Sequence, residues 1–94
     1  MTRAETIRET LEQWNPDAML ADGFDAALIG IAEQYGKEPL ALYDRRRCIE
    51  ILMQQGMTEE GAEEFFEFNT LGAYVGEGTP VFATIIAVPE PAAV

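Results

Sequence analysis

Five glutamates in the second half of the chain have the spacing that points most clearly to a chemical role. They are Glu59, Glu60, Glu63, Glu64 and Glu67. On a helix that turns by about 100° per residue, they share one arc of about 140°. Glutamates one turn apart lie about 5–6 Å from each other, which is close to the phosphate spacing of a nucleic-acid strand. Such a face could occupy a basic groove that binds nucleic acid.

The same pattern also fits the solvated side of an ordinary amphipathic helix. Glutamates in its first turn would interact favourably with the helix dipole. The negative charge of these glutamates is not balanced nearby along the chain, because no Lys or Arg follows Arg47. This excess of negative charge favours a role in binding a partner. Solubility alone requires a net charge of only about 2–8 in a small domain. Both interpretations stay open on the sequence.

Three consecutive arginines, Arg45, Arg46 and Arg47, account for half of the six basic residues. They lie where a helix is predicted to begin, and the helix dipole disfavours cations there. Pairing with the glutamates of the same chain is one explanation. A partner's carboxylate in a dimer and a local anion site are the alternatives.

Asn69 and three nearby glycines are further candidates. Asn69 is predicted among phenylalanines on the apolar side of its helix, where an amide needs hydrogen-bond partners. We expect it to tie down the neighbouring loop at residues 76–78, with ligand contact as the alternative. Gly72, Gly76 and Gly78 follow a helix and precede no Gly-Lys-Thr, so we interpret them as caps and turns and not as a phosphate-binding loop.

The residue types that are missing limit the function more than those present. The 94 residues include no His and no Ser, which excludes serine triads, Cys-His pairs and His-ligated metals. A formal charge of −11 disfavours direct contact with nucleic acid or anionic lipid. We therefore predict a protein without catalytic activity, cofactor or metal, which binds neither nucleic acid nor membranes directly.

The single cysteine and the N-terminal sequence indicate a cytoplasmic protein. Cys48 has no second cysteine to pair with and lies in an apolar run, so we expect a buried thiol. The N-terminal segment lacks the apolar block of a signal peptide, and no apolar run approaches about 18 residues.

Capping residues and apolar periodicity predict three helices. The first starts at Thr2, where Glu5 completes a capping box, and stops near Asn15 because Pro16 follows. The second starts at Asp44, and the third runs from residue 58 to about residue 72.

The strand predictions complete an α+β fold. Residues 26–35 suit either a strand or a helix, and Gly30 favours the strand. Residues 40–43 then pair back as a hairpin, and residues 81–88 form a last strand after Pro80. We expect a small antiparallel sheet of two or three strands covered by about three helices. Residues 1–88 would form a single domain and residues 89–94 a flexible C-terminal tail.

The stretch from Ile29 to Phe82 resembles small proteins encoded by phages and prophages. Its most specific part is Phe-x-Phe-Asn at residues 66–69, followed by Gly-Glu-Gly-Thr-Pro at residues 76–80. The resemblance implies an origin in a mobile element. Many small acidic phage proteins block host nucleic-acid enzymes, and anti-CRISPR and anti-restriction proteins are examples of them.

These observations lead to two functional hypotheses. The first is a non-catalytic inhibitor of anti-CRISPR type, which covers a basic surface of a host nucleic-acid-binding defence complex. Its partner-binding residues would be the five glutamates, with an exposed aromatic such as Tyr74 or Trp14 as anchor. The second is a homo-oligomeric structural or adaptor module, for example a homodimer. Residues 81–88 or the first helix would then supply the contact.

Overall fold

The computed structural model describes residues 1–74 and 76–86. Its main elements are α1 (Arg3–Trp14), β1 (Leu28–Ala32), β2 (Leu40–Asp44), α2 (Arg45–Gln54), α3 (Glu59–Asn69) and β3 (Val81–Ala83). Two single-turn 3-10 helices lie at Asp25–Ala27 and Leu71–Ala73. The predicted α+β class is confirmed, since three helices accompany one three-stranded sheet. The predicted tail at residues 89–94 lies outside the described residues.

The sheet has the strand order β1-β2-β3. The predicted hairpin is confirmed, because β1 and β2 are antiparallel with Ala32 opposite Leu40. β3 instead runs parallel to β2, with Val81 beside Leu42, so the sheet is mixed. The chain leaves β2 through α2 and α3 before it returns, and such a long helical crossover is the connection that parallel strands require.

Two elements are shorter than predicted. β3 ends at Ala83, because its partner Asp44 is the last residue of β2 before α2 begins, and residues 84–86 of the predicted strand are not part of it. Residues 87 and 88 of the predicted strand lie outside the described residues. α3 ends at Asn69, where the Thr70 N–H still donates to the Phe66 carbonyl, and a 3-10 turn replaces the rest of the predicted helix.

All three predicted helix starts are confirmed. The Thr2 hydroxyl accepts from the Glu5 N–H at 3.2 Å, and the Glu5 carboxylate accepts from the Thr2 N–H at 2.7 Å. Asp44 and Thr58 cap α2 and α3 in the same way with their side-chain oxygens. Each cap satisfies a backbone donor that the helix leaves free.

One core lies between a single face of the sheet and the three helices. Tyr43 is completely buried and stacks on Phe82, with 5.4 Å between the ring centroids. Phe66 packs edge-on against the Phe82 ring, with 5.2 Å between these two centroids. Cys48 is buried as predicted, and burial raises the pKa of its thiol to about 12. The thiol is therefore protonated and acts as a small apolar group of the core.

The hydroxyl of Tyr43 holds the segment that follows α1. It accepts a hydrogen bond of 2.8 Å from the buried N–H of Ala21. We expect Tyr43→Phe to lower the free energy of unfolding by about 1–3 kcal/mol, because the Ala21 N–H then has no partner. Urea unfolding measures this loss. Tyr35→Phe is the matched control, because Tyr35 is fully exposed, and an equal loss in both variants would contradict the assignment.

Candidate protein-binding surface

The five glutamates lie together on the outside of α3, as the sequence predicted. All five side chains are exposed, and we call this set the acidic face. Ala62 and Phe66 are the buried residues of the helix. They attach α3 to the core, so the acidic face is held on a fixed helix.

Arginines of α2 neutralise both ends of the acidic face. Arg45 pairs with Glu67 at 3.1 Å, and Arg46 pairs with Glu59 at 3.0 Å. Pairing within the chain, one of the three explanations for the arginine run, is thus confirmed for these two residues. Arg47 lies instead beside Asp44, the capping residue of its own helix, at 3.6 Å. Exposed pairs of this kind contribute only about 0–1 kcal/mol each, so their main effect is on the charge of the surface.

The centre of the acidic face keeps its charge. Glu60, Glu63 and Glu64 form no ion pair within the part of the chain that the structure describes. They are adjacent on the helix surface, since residues three and four apart are neighbours. A compact anionic patch therefore remains between the two neutralised ends.

Exposed aromatic side chains adjoin this patch. Phe68 follows Glu64 by one turn and is 76% exposed, and Phe65 is 40% exposed. The sequence placed both among the apolar residues opposite the glutamates. The structure corrects this, because α3 packs mainly against α2 and the turn that follows it, and such contacts bury only a narrow stripe of the helix. The result is a mixed acidic and aromatic surface.

Tyr74 differs from the exposed anchor that the sequence suggested. Its ring is half-buried and packs against the core, and its hydroxyl donates to the Leu20 carbonyl at 3.3 Å. Burial also raises the pKa of this phenol. Trp14, the other suggested anchor, is 50% exposed but lies on α1. Phe68 is the most exposed aromatic residue beside the acidic face. Its position one helical turn after Glu64 could have identified it from the sequence.

Asn69 is exposed and does not tie down the loop at residues 76–78, contrary to the expectation. That loop is held instead by the Met19 N–H, which donates to the Gly78 carbonyl at 2.9 Å. The buried amide is Asn15, which donates to the Pro39 carbonyl at 2.9 Å and accepts from the Asp17 N–H at 3.2 Å. The sequence Asn15-Pro16 at the end of α1 could have identified this amide, because Asn side chains stabilise turns at such positions.

Three loops form an open groove of ≈ 680 Å³. The residues that line it include three acidic ones, Asp17, Glu38 and Glu77, and the basic Lys37. Gly76, with φ of +96°, makes a turn there, in agreement with the interpretation of the glycines as turn residues. Within residues 1–74 and 76–86, no three His, Cys, Asp or Glu side chains are arranged to hold a metal ion. No helix of the described chain is long and apolar enough to span a bilayer.

Comparisons with known proteins gave no relative of this chain. No family model matched it, and neither did any curated protein or any solved structure. A functional interpretation therefore depends on the geometry and the charge of the surface itself.

Proposed function

We propose that this protein is a non-catalytic inhibitor of a host nucleic-acid-binding defence complex, encoded by a phage or another mobile element and similar in action to anti-CRISPR proteins. It acts in the host cytoplasm by placing the acidic face of α3 on a basic surface of that complex. The observation that supports this proposal is the patch of Glu60, Glu63 and Glu64, which pairs with no cation among the described residues and lies beside the exposed Phe68.

The two parts of this surface have different tasks in binding. Unpaired carboxylates attract a basic surface over several ångströms and accelerate association, and this attraction weakens as salt is added. A large exposed aromatic ring such as Phe68 gains affinity when it enters a pocket from which water is excluded. The bound protein would cover the basic groove, so that nucleic acid could no longer enter it.

Reversal of the three central charges tests the acidic face. We expect the triple variant E60K/E63K/E64K to bind its target about 100-fold more weakly, because each reversal costs roughly 1 kcal/mol against a basic surface. Its melting temperature should fall by only a few degrees, since these side chains are exposed and Glu60 alone of the three lies in the first turn, where the helix dipole favours an acidic side chain. The measurement is capture on the immobilised protein from a lysate of its host, elution with heparin as a competing polyanion, and mass spectrometry.

A second triple variant is the matched control. E9K/E12K/E33K has the same change in net charge, and these three side chains are exposed and lie outside α3. The proposal predicts that the wild type and this control both capture a nucleic-acid-binding protein from the lysate. The α3 variant should fail to capture that protein. Equal loss in both variants would indicate an effect of net charge alone. Retention by the α3 variant would remove the acidic face from consideration.

A further inference from the structure

The sheet has a second face, and its residues do not belong to the core. Side chains alternate between the two faces of a strand. Leu28, Tyr43 and Phe82 occupy one row across the strands and point into the core. The residues of the neighbouring rows point the other way, and we call them the outer sheet face: Gly30, Ala32, Leu40, Leu42, Asp44, Val81 and Ala83.

The outer sheet face is apolar except for Asp44, although it is partly exposed. All seven residues are half-buried, and none is part of the core or packs against it. A sheet face that meets only water is normally polar, with alternation between apolar core positions and polar outer positions. Here the outer positions are apolar as well, except for Asp44. Ile85 and Ile86 follow β3 and are 57% and 76% exposed, which extends the exposed apolar surface along the chain.

Charge distinguishes this face from the rest of the molecule. The chain has a formal charge of −11, yet Asp44 is the only charged residue in the three strands. Its carboxylate is already engaged, since it caps α2 and lies beside Arg47. The stretch from Gly78 to Ile86 contains no charged residue at all. Two copies of this acidic chain therefore bring into the contact only the Asp44 carboxylate, which Arg47 of the same chain already pairs.

We propose that the outer sheet face is the contact between two copies of this chain in a symmetric dimer. Two such faces would stack as the sheets of a sandwich do, about 10 Å apart. A partner of strong positive charge would gain little from a face whose one carboxylate is already paired, whereas a second copy presents the same largely apolar surface. The inference is independent of the proposed inhibitor role, because it depends on the sheet and not on α3.

The size of the face sets the strength of the dimer. Two strands of five residues and one of three, about 4.8 Å apart and at about 3.3 Å per residue, cover on the order of 200 Å² in projection. Even with the two isoleucines added, this is below the area of a stable specific interface and fits only a weak, transient contact. We therefore expect a weak dimer with a dissociation constant on the order of 100 µM. Phe66 packs α3 onto the other face of the sheet, so both acidic faces of the dimer would stay free.

Sedimentation equilibrium of the full chain between about 1 and 500 µM tests the dimer. We expect the average mass to rise from 10.4 kDa towards twice that value. The midpoint of this rise should shift to lower concentration when NaCl is raised from about 0.15 to 0.5 M, because salt screens the repulsion between the copies. Leu42→Lys should weaken association at least 30-fold, and Val81→Thr, which keeps the β-branched shape, should weaken it several-fold.

Phe68→Lys is the control, because Phe68 is exposed and lies on α3, on the other side of the sheet. It should leave the dimer unchanged. A monomer at every concentration and both salt levels would overturn the proposal. Association that Phe68→Lys abolishes would also overturn it, if the folded Leu42→Lys and Val81→Thr variants both still associate. The contact would then be made by α3. In a third outcome, the wild type stays monomeric and captures a different protein, which the Leu42→Lys variant does not capture. This result would assign the face to that protein and overturn the dimer.

Discussion

Phe66→Ala should lower the free energy of unfolding by about 3–5 kcal/mol, the cost of truncating a fully buried phenylalanine. The Phe66 ring is completely buried, contacts the edge of Phe82 and lies 4.9 Å from the guanidinium carbon of Arg45. Together with Ala62 it attaches α3 to the core. A domain of this length is stable by only about 5–14 kcal/mol, so the loss is a large part of the total. Urea unfolding followed by circular dichroism measures it.

Phe68→Ala is the matched control for this prediction. It removes the same side chain from the same helix, but Phe68 is 76% exposed. We expect a change within about 0.5 kcal/mol. A similar loss of stability in the two variants would show that Phe66 does not anchor α3. Phe68→Ala should instead weaken target binding at unchanged stability, which separates a residue that contacts the partner from one that holds the helix.

Gly78→Ala is the second substitution for which we expect a large effect. A Cβ atom at this position would lie 2.5 Å from the Asp17 carbonyl oxygen, which is part of the backbone and not of a flexible side chain. The Gly78 carbonyl also accepts the hydrogen bond from the Met19 N–H at 2.9 Å. The two segments must separate, so we expect a loss of about 2 kcal/mol and a melting temperature lower by about 10 °C.

Gly30→Ala provides the comparison for this prediction. The nearest atom to a Cβ at Gly30 would be the Leu42 Cδ2 at 3.8 Å, which is an ordinary contact. In a strand, Ala loses less conformational entropy on folding than Gly, so stability should stay the same or rise slightly. Thermal unfolding at low micromolar concentration compares the two variants as monomers. An unchanged melting temperature for Gly78→Ala would contradict the close approach of the two backbone segments.

Much of the local structure followed from the sequence because short-range interactions decide it. The capping box of Thr2 and Glu5 and the cap at Thr58 involve residues three apart, and each formed as predicted. The hairpin of β1 and β2 joins neighbouring strands through a turn in which Gly36 adopts a φ of +79°. Conformational preference and nearby hydrogen bonds are enough to fix such features.

The sequence by itself determined the helix starts, the hairpin, the buried Cys48 and the alignment of the five glutamates on one side of α3. Tertiary structure decided which of those glutamates stay unpaired, because Arg45 and Arg46 reach Glu67 and Glu59 across 22 and 13 positions of the chain. It also decided that Phe66 is buried while Phe68 is exposed, and that β3 runs parallel to β2. The physical reason is that periodicity fixes which side chains share a face, whereas only the neighbouring elements determine which face is covered.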